Sequence, residues 1–502
     1  MISRSPYGDE FRYVLDSKTE NKKINNFINS GKKTVVVQGL GFVGTAVVAA
    51  LADVKDKKNN PVFNVIGVDN PDEKGYWKIA RVNLGKAPIL SPDENLDIIY
   101  QNAFKNKNLM ATYSKYAYSK ADIVVVDINL SVTKKLGNPF KYDFTYSAFK
   151  EAIEVIANNV CENTLVVIET TVPPGTTQKI IYPIFQKIFK KRKLNIHKLY
   201  LAYSYERVMP GRAYLNSIIN FYRVYSGINE ESKRKTKDFL EVFINTKDYP
   251  LFEMHSTTAC EMAKVLENSF RATNIAFIKE WTDYAQRAEV DLFEVIEAIR
   301  MRPTHRNIML PGFGVGGYCL PKDSLLADWS SAKFFDGKKH LEMSLNAIAI
   351  NDLMPNHTFE LLKQKVGNLK GKHITILGVS YLNDIADTRY SPTQYFYDKC
   401  LKEKAIISLH DSVVSYWQEK KIRINTDINS LKNKTHEVAI FAVRHSEYSA
   451  FTSRDILAIL PGVKVVIDAN NVINDSVAKE LVWSGVSMIG VGKGHWKCLG
   501  RE

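Results

Sequence analysis

An α/β chain of two Rossmann-like α/β domains, joined by a central long-helix segment, is what this sequence predicts, and three observations predict it. A β-branched run, Lys33-Thr34-Val35-Val36-Val37-Gln38, leads straight into Gly39-Leu40-Gly41-Phe42-Val43-Gly44 and then a helical stretch at 45–52. From about residue 257 to 288 apolar residues recur at helical spacing with no Pro or Gly among them. At 371 the alternation of strand and helix reopens with Gly371-Lys372-His373-Ile374-Thr375-Ile376-Leu377-Gly378. A chain of 502 residues also exceeds one hydrophobic core. The divisions follow: a polar lead-in at 1–30, a dinucleotide-type domain at 31–250, a central helical segment carrying a cysteine loop at 251–366, and a second α/β domain at 367–502.

Composition narrows the function classes. The apolar fraction of 45% and the charged fraction of 24% are those of a soluble globular protein. A net charge of +14 favours anionic partners. No zinc-finger, RNP-type or basic-zipper pattern accompanies the charge, which argues against nucleic acid and leaves nucleotides and diphosphates. The five cysteines are far apart and odd in number, with no CxxC or Cys/His spacing, so neither a disulfide framework nor a metal site is predicted, and a reducing cytoplasm fits. Residues 1–30 lack the apolar core of a signal peptide and read as a lead-in with one short helix. The apolar span 35–54 contains Gln38 and three glycines and reads as strand then helix, so no membrane span is predicted.

Taken in order, 33–38 reads as a buried parallel strand, continuous in β-branched residues rather than alternating. The glycines after it allow the tight turn and close approach of a pyrophosphate, with a helix N-terminus facing the phosphates. Strand 63–68 ends in Asp69, placed to accept hydrogen bonds from a ribose diol, so the bound cofactor is NAD rather than NADP. Further strands are read at 121–128, 164–169 and 199–203, with a helix at 146–158. The loop Thr170-Thr171-Val172-Pro173-Pro174-Gly175 follows one strand and Glu206-Arg207-Val208-Met209-Pro210-Gly211 another. Both lie at the sheet edge where ligands bind.

On the long helix, Lys264 and Asn268 are four apart and share a face. A helix with apolar residues on several sides (Met262, Val265, Leu266, Phe270, Ile275, Phe277, Ile278) suits a position between domains and a subunit interface, so the chain is expected to be a homodimer or larger homo-oligomer. Helices are read at 292–300, 344–366 and 392–400, with strands at 371–378, 406–409, 438–443 and 463–467. Gly378 is the one glycine at the first strand end of the second α/β domain, so no second dinucleotide fingerprint is present.

Between the halves lies Pro311-Gly312-Phe313-Gly314-Val315-Gly316-Gly317-Tyr318-Cys319-Leu320-Pro321-Lys322-Asp323. Four glycines in six residues let the backbone take positive φ and approach a ligand closely. A thiol is nucleophilic as thiolate, which a neighbouring cation or backbone N–H groups favour. The alternative is an inert, buried Cys in a glycine-rich loop.

Six motifs in order then carry a resemblance: Gly39 to Gly44, the loop 169–177, 206–211, the helix with Glu261, Lys264, Asn268 and Arg271, the loop 312–323, and Asp387-Thr388-Arg389-Tyr390-Ser391-Pro392. Together they resemble the UDP-glucose/GDP-mannose dehydrogenase family of NAD-dependent nucleotide-sugar 6-dehydrogenases, over residues 33–491. The resemblance implies oxidation of a hexose C6 alcohol to a carboxylate in two steps with two NAD⁺ reduced, giving a uronic acid for surface polysaccharide. A four-electron oxidation must hold its aldehyde, and a thiohemiacetal at Cys319 does so before thioester hydrolysis.

By resemblance, Lys264 and Asn268 stabilise an oxyanion, Asp323 with Thr171 positions water, and Glu206 is the acid/base. Gly39, Gly41, Phe42, Val43, Gly44, Asp69, Thr171, Lys322 and Arg389 are assigned to the cofactor. Glu206, Arg207, Lys264, Asn268, Phe313, Gly314, Gly316, Gly317 and Tyr381 are assigned to the substrate. Arg302 or Arg306 would enter a neighbouring subunit's sugar site, the alternative for each being a surface arginine.

Departures are Asp127-Ile128-Asn129 where relatives carry Val-Pro-Thr-Pro, and Tyr381-Leu382 where relatives often have a Lys. The loop at 313–323 leans to glucose-type enzymes, while 172–177 and 206–211 lean to N-acetylhexosamine enzymes. The substrate is thus a UDP-N-acetylhexosamine or UDP-glucose. The alternatives are GDP-mannose oxidation, a two-electron dehydrogenase of the 6-phosphogluconate or hydroxyacyl type, and a non-catalytic nucleotide-sugar binder.

Overall fold

The computed structural model describes residues 1–5, 7–28, 31–209 and 211–500 and divides the chain into two compact units. The first comprises Met1–Val132, Asp143–Val265 and Trp329–Lys338; the second comprises Thr133–Tyr142, Leu266–Asp328 and Lys339–Glu502. Compactness therefore cuts the helical segment 251–366, which the sequence pattern sets apart, between the two units.

The first unit opens with a hairpin, β1 (Ile2–Arg4) against β2 (Glu10–Arg12), and the helix α1 (Ser17–Phe27). Asp16 caps α1, its Oδ1 accepting from Lys18 N at 3.0 Å and Thr19 N at 3.2 Å. The hairpin has no counterpart in the sequence reading, because three-residue strands are too short to show a period of two. Next come β3 (Lys33–Gln38), α2 (Phe42–Asp53), β4 (Phe63–Val68), α3 (Tyr76–Val82), β5 (Leu109–Thr112), β6 (Ile123–Val126), β7 (Leu165–Ile168), β8 (Tyr200–Tyr203), β9 (Val224–Gly227) and β10 (Phe252–Glu253). They form one sheet in the order β10-β9-β8-β7-β6-β3-β4-β5, in which only β8 and β9 pair antiparallel.

From β5 to β8 this is the 3-2-1-4-5-6 order of dinucleotide-binding sheets, with its switch point between β3 and β6. Val35, Val36 and Val37 have no exposed surface, as a strand covered on both faces requires. Helix α2 is apolar almost all round and is buried from Gly44 to Ala52, so it fills the core beside β3 and β4.

The long helix α4 (Thr257–Arg287) supplies its first turns to the first unit and Leu266 onward to the second. Helix α5 (Asp323–Phe334) begins in the second unit, and α6 (Glu342–Val366) and α7 (Pro392–Lys402) lie wholly in it. The second unit's sheet consists of β11 (His373–Leu377), β12 (Ile406–His410), β13 (Val438–Phe441), β14 (Val465–Asp468) and β15 (Ser487–Gly490). The order is β12-β11-β13-β14-β15, all parallel, which is the other common doubly wound arrangement. Among the described residues no helix is long and apolar enough to cross a membrane.

Candidate active site

Two groups of residues form, one in each unit. In the first unit the glycine turn lies at the C-terminal end of β3. Gly39 takes φ +100°, and a Cβ there would lie 2.3 Å from the carbonyl oxygen of Asp127; a Cβ on Gly44 would lie 1.8 Å from the carbonyl oxygen of Gly39. Both positions demand glycine for packing alone. Gly41, the N-cap of α2, has open space where its Cβ would be, so the helix N-terminus is approachable from outside. Phe42 and Val43 open the helix half-buried, and the Phe42 carbonyl accepts a hydrogen bond from the Tyr214 hydroxyl.

Asp69 stands at the end of β4, as a ribose acceptor should. Its Oδ2 accepts from Leu40 N at 2.9 Å and from Lys78 Nζ at 2.9 Å, and its Oδ1 accepts from Asn70 N at 2.8 Å. Open helix terminus, obligatory glycines and terminal acid together fit a dinucleotide.

Along the same edge of that sheet, β6, β7 and β8 deliver Asp127, Glu169 and Glu206. Glu169, 2% exposed, pairs through Oε1 with Arg223 NH2 at 2.5 Å. Asp127 Oδ2, Glu169 Oε2 and Arg223 Nε are buried without a hydrogen-bond partner. Burial pushes the Glu169 carboxyl up to about 7, with Arg223 opposing and Glu206 adding to the rise. The Asp127 carboxyl is held well above the usual range by burial, then by Glu169 and Glu206. Sequence reasoning missed this cluster, although three acids at successive strand ends of a parallel sheet are a legible signal.

Glu206 also anchors Lys264. The ammonium donates to the Glu206 carbonyl at 2.9 Å, lies 3.7 Å from its Oε1 and sits 5.3 Å from the Tyr205 ring centre. Lys264 is 8% exposed. Thr171 is half-buried in the loop after β7. Glu261 fixes the rest of that loop, accepting from Gly175 N at 2.5 Å, Thr177 N at 2.8 Å and Thr177 Oγ1 at 2.6 Å. Arg207 is engaged with protein, donating to the Tyr222 carbonyl at 2.7 Å and to the Tyr205 hydroxyl at 3.2 Å. Pro210, the next proline of that motif, lies outside the described residues.

In the second unit, the loop 312–323 is pinned at both ends. Phe313, 2% exposed, packs on Phe396 with ring centres 5.6 Å apart, and Asn351 clasps Val315, accepting from its N at 2.9 Å and donating to its carbonyl at 2.7 Å. The glycines answer to neighbouring protein rather than only to a ligand. A Cβ on Gly316 would lie 2.4 Å from the Tyr390 carbonyl oxygen, and one on Gly317 2.7 Å from the Tyr381 ring. Gly314 takes φ +112° beside the Asn351 carbonyl. Tyr381 and Arg389 are thus loop supports, with Gly317 N donating to the Arg389 carbonyl at 2.9 Å. Tyr390 itself holds φ +52°, a left-handed conformation uncommon outside glycine, at this contact.

Cys319 closes the loop and is exposed, whereas Cys260 and Cys400 are buried and burial pushes the Cys400 thiol up to about 12. Its carbonyl accepts from Lys322 N at 3.1 Å and Asp323 N at 3.0 Å, a turn that leads into α5. Asp323 has no exposed surface. It accepts from Asn268 Nδ2 at 2.6 Å and from Lys322 Nζ at 3.1 Å.

Burial opposes the charge on Lys322, but Asp323, then Cys319 and Tyr318, more than offset it and leave its pKa raised. A cation held this way favours the thiolate of Cys319 in return. Tyr318, which sequence reasoning passed over, lies between two cations, with Lys322 Nζ 4.6 Å and the Arg389 guanidinium 5.5 Å from its ring centre. Of the second unit's predicted residues, Asn268, Phe313, Gly314, Gly316, Gly317, Cys319, Lys322, Asp323, Tyr381 and Arg389 form one connected group. Arg302 and Arg306 are exposed and flank a short 3-10 turn, Pro303–His305.

Three segments of the chain match the UDP-glucose/GDP-mannose dehydrogenase family: residues 33–244 its NAD binding domain, 258–352 its central domain and 375–475 its UDP binding domain. A UDP-N-acetyl-D-mannosamine dehydrogenase of Methanocaldococcus jannaschii is 28% identical over 444 residues, 88% of this chain and 93% of that one. One of Methanococcus aeolicus is 29% identical over 480 residues, 95% and 98%. Among solved structures, the UDP-D-ManNAc dehydrogenase of Pyrococcus horikoshii superposes with a TM-score of 0.74 at 24% identity, covering 92% of this chain and all of that one. A UDP-glucose dehydrogenase of Pyrobaculum islandicum gives 0.75 at 22%, covering 93% and 99%. At these identities the superpositions speak to fold.

Proposed function

The chain belongs to the UDP-glucose/GDP-mannose dehydrogenase family of NAD-dependent nucleotide-sugar dehydrogenases, and from that premise we propose that it oxidises the C6 hydroxyl of a UDP-N-acetylhexosamine to the carboxylate through a covalent intermediate on Cys319. The observation that carries this reading is the exposed Cys319 thiol in a loop whose lysine is buried and charged. The relatives' names favour N-acetylmannosamine as the sugar. The product is a uronic acid of the kind built into surface polysaccharides.

The Gly39–Gly44 turn and Asp69 would hold NAD⁺, which when bound would supply the hydride acceptor for C6 at each of the two oxidations. The chain's own groups do the rest. The first oxidation takes one hydride and the hydroxyl proton and leaves an aldehyde. The Cys319 thiolate adds to that carbonyl, and the resulting oxyanion is met by the Lys264 ammonium and an Asn268 N–H before it takes up a proton. Loss of the second hydride and of that proton gives the thioester. Water attacks it, positioned by Asp323 and Thr171, with Glu206 taking the water proton; the C–S bond breaks and Cys319 leaves as thiolate. In sum, one alcohol, two NAD⁺ and one water give one carboxylate, two NADH and three protons. On the substrate side, Arg207 and the loop 313–317 are assigned to the nucleotide sugar, and the exposed Arg302 and Arg306 to a second subunit's site.

The second subunit is a second copy of this chain, seated on α4. Leu266, Phe270, Phe277, Trp281 and Tyr284 recur along one stripe of that helix and each is at least 46% exposed. A stripe of this size is costly to leave in water, and a two-fold axis covers it with itself. The three-domain division at 31–250, 251–366 and 367–502 completes the reading.

A panel of UDP-ManNAc, UDP-GlcNAc, UDP-glucose, UDP-galactose and GDP-mannose with NAD⁺, followed by NADH absorbance, tests it. Two NADH per UDP-N-acetylhexosamine are expected. One NADH with free aldehyde sinks the covalent route, and full turnover by Cys319→Ser removes the nucleophile. Turnover confined to UDP-glucose or GDP-mannose would overturn the sugar.

A further inference from the structure

Residues 1–32 precede the first family-matching residue, Lys33, yet Ser3, Tyr7, Asp9 and Tyr13 are fastened to one place in the first unit. That place is the stretch 71–90, which follows Asp69. Ser3 has no exposed surface, and its Oγ donates to the Glu73 carbonyl at 2.7 Å while accepting from Trp77 N at 3.0 Å. Tyr13 stacks on Tyr76 with ring centres 3.7 Å apart and planes 7° from parallel, and its hydroxyl donates to the Pro71 carbonyl at 2.8 Å. Asp9 pairs with Arg81 at 2.5 Å, and Tyr7 meets Trp77 edge-on at 5.9 Å. Helix α1 continues the strap: Glu20 accepts from Thr112 Oγ1 at 2.9 Å, at the end of β5.

These contacts act on α3. That helix has Gly75 at its N-cap and no side-chain cap of its own; Tyr76 N donates to the Asp72 carbonyl and Lys78 N to the Gly75 carbonyl, both at 3.0 Å, which leaves Trp77 N without a local acceptor. Ser3 Oγ supplies one from another part of the chain. Gly75 packs so tightly on the end of β4 that a Cβ would lie 2.3 Å from the Asn70 carbonyl oxygen and 3.0 Å from Asp69 Oδ1. From the same helix Lys78 reaches back to Asp69 Oδ2 at 2.9 Å. The placement of Asp69 thus depends on α3, and the placement of α3 depends on the hairpin.

We propose that the N-terminal hairpin is a positioning element of the cofactor site: Ser3 and Tyr13, through α3 and Lys78, hold Asp69 where it accepts the adenosine ribose diol of NAD⁺. The proposal rests on the assignment of Asp69 to that ribose. It makes dinucleotide affinity in this chain depend on residues that lie before the catalytic domains begin.

Ser3→Ala and Tyr13→Ala in the full-length protein test it, with KM for NAD⁺, KM for the nucleotide sugar and kcat measured separately, and the rise in melting temperature on adding NAD⁺ as a second readout. Loss of a helix cap predicts a KM for NAD⁺ about fivefold higher in Ser3→Ala. Tyr13→Ala moves it the same way, the NAD⁺-induced rise shrinks, and kcat at saturating NAD⁺ and the sugar KM stay as they are. Asp69→Ala separates the two levels. If it leaves KM for NAD⁺ unchanged, the ribose assignment is wrong. If it raises KM while Ser3→Ala and Tyr13→Ala do not, the clamp alone is wrong. A parallel loss in kcat and in both KM values would mark a general folding defect and also overturn the clamp.

Discussion

Asn268→Asp is the sharpest perturbation of the proposed site. The amide of Asn268 carries two N–H donors; one goes to Asp323 Oδ2 at 2.6 Å, and the other is the one proposed for the oxyanion. Replacing the amide by a carboxyl places two acids at that distance. At an effective dielectric constant of about 20, two unit negative charges 2.6 Å apart repel by about 6 kcal/mol, or between four and five tenfold steps in proton affinity. The Lys322 ammonium, 3.1 Å from Asp323 Oδ1, offsets much of that repulsion, and in either charge state the new carboxyl has nothing to give the oxyanion: ionised it only accepts, and protonated its one O–H goes to Asp323.

Only the Lys264 ammonium then remains for the oxyanion, and loss of one such donor lowers kcat by about 10²–10³. Steady-state NADH production across pH 6 to 10 is the assay. KM for the nucleotide sugar should change little. The loss of kcat should persist across that pH range, and Asn268→Ala should show a loss of its own. A variant with kcat within about threefold of the parent, or a loss carried entirely by KM, would refute the oxyanion role.

Other perturbations are equally direct. Gly44→Ala places a Cβ 1.8 Å from the Gly39 carbonyl oxygen, so the glycine turn must open; NAD⁺ titration should show binding lost or weakened by at least about tenfold. Glu261 is raised to about 7 by burial, against the hydrogen bonds from Thr177 and Gly175. A folded value above the unfolded 4.5 means that its contribution to stability is present in acid and is lost as pH rises toward about 7, a span worth on the order of 3 kcal/mol. Melting temperature should fall over that range, and Glu261→Gln should flatten the fall in part, since Glu169 moves in the same direction. Phe270→Glu with Trp281→Glu should halve the apparent mass in size-exclusion chromatography; an unchanged elution volume would remove α4 from the interface.

How much of this was legible beforehand differs residue by residue. The β3 strand, the Gly39–Gly44 turn and Asp69 were legible because each is dictated within one short stretch: a β-branched run covered on both faces, glycines where the backbone crosses itself, an acid at a strand end. The first four strands of the second unit's sheet were legible to within about two residues for the same reason, while Ser487–Gly490 was not read. The long helix was legible as a helix, but not which of its apolar residues would be covered. Val265, Ile275 and Ile278 are buried, while Leu266, Phe270 and Phe277 are not, and a stripe at helical spacing looks alike in both cases.

What local pattern could not supply was partnership across the sequence. The hairpin at the N-terminus is too short to carry a period, and its importance lies in contacts with residues some 60 to 80 positions away, such as Ser3 with Trp77 and Tyr7 with Leu90. Asp127, Glu169 and Arg223 are unremarkable in sequence and become one electrostatic cluster only because β6 and β7 are neighbours in the sheet.

The loop before Cys319 shows the same division. Its glycines were read as room for a ligand, and the structure gives Gly316 and Gly317 a second duty, to let Tyr390 and Tyr381 press against the chain. The two duties are compatible in a definite way. A loop whose inner side is packed by tyrosines and clasped by Asn351 has little freedom, so the thiol at its end is held in one place rather than searching for its carbonyl. That rigidity suits the two-step oxidation proposed for Cys319. Under that proposal the intermediate stays bonded while the cofactor is exchanged, and a mobile loop would carry it away from the groups assigned to the oxyanion.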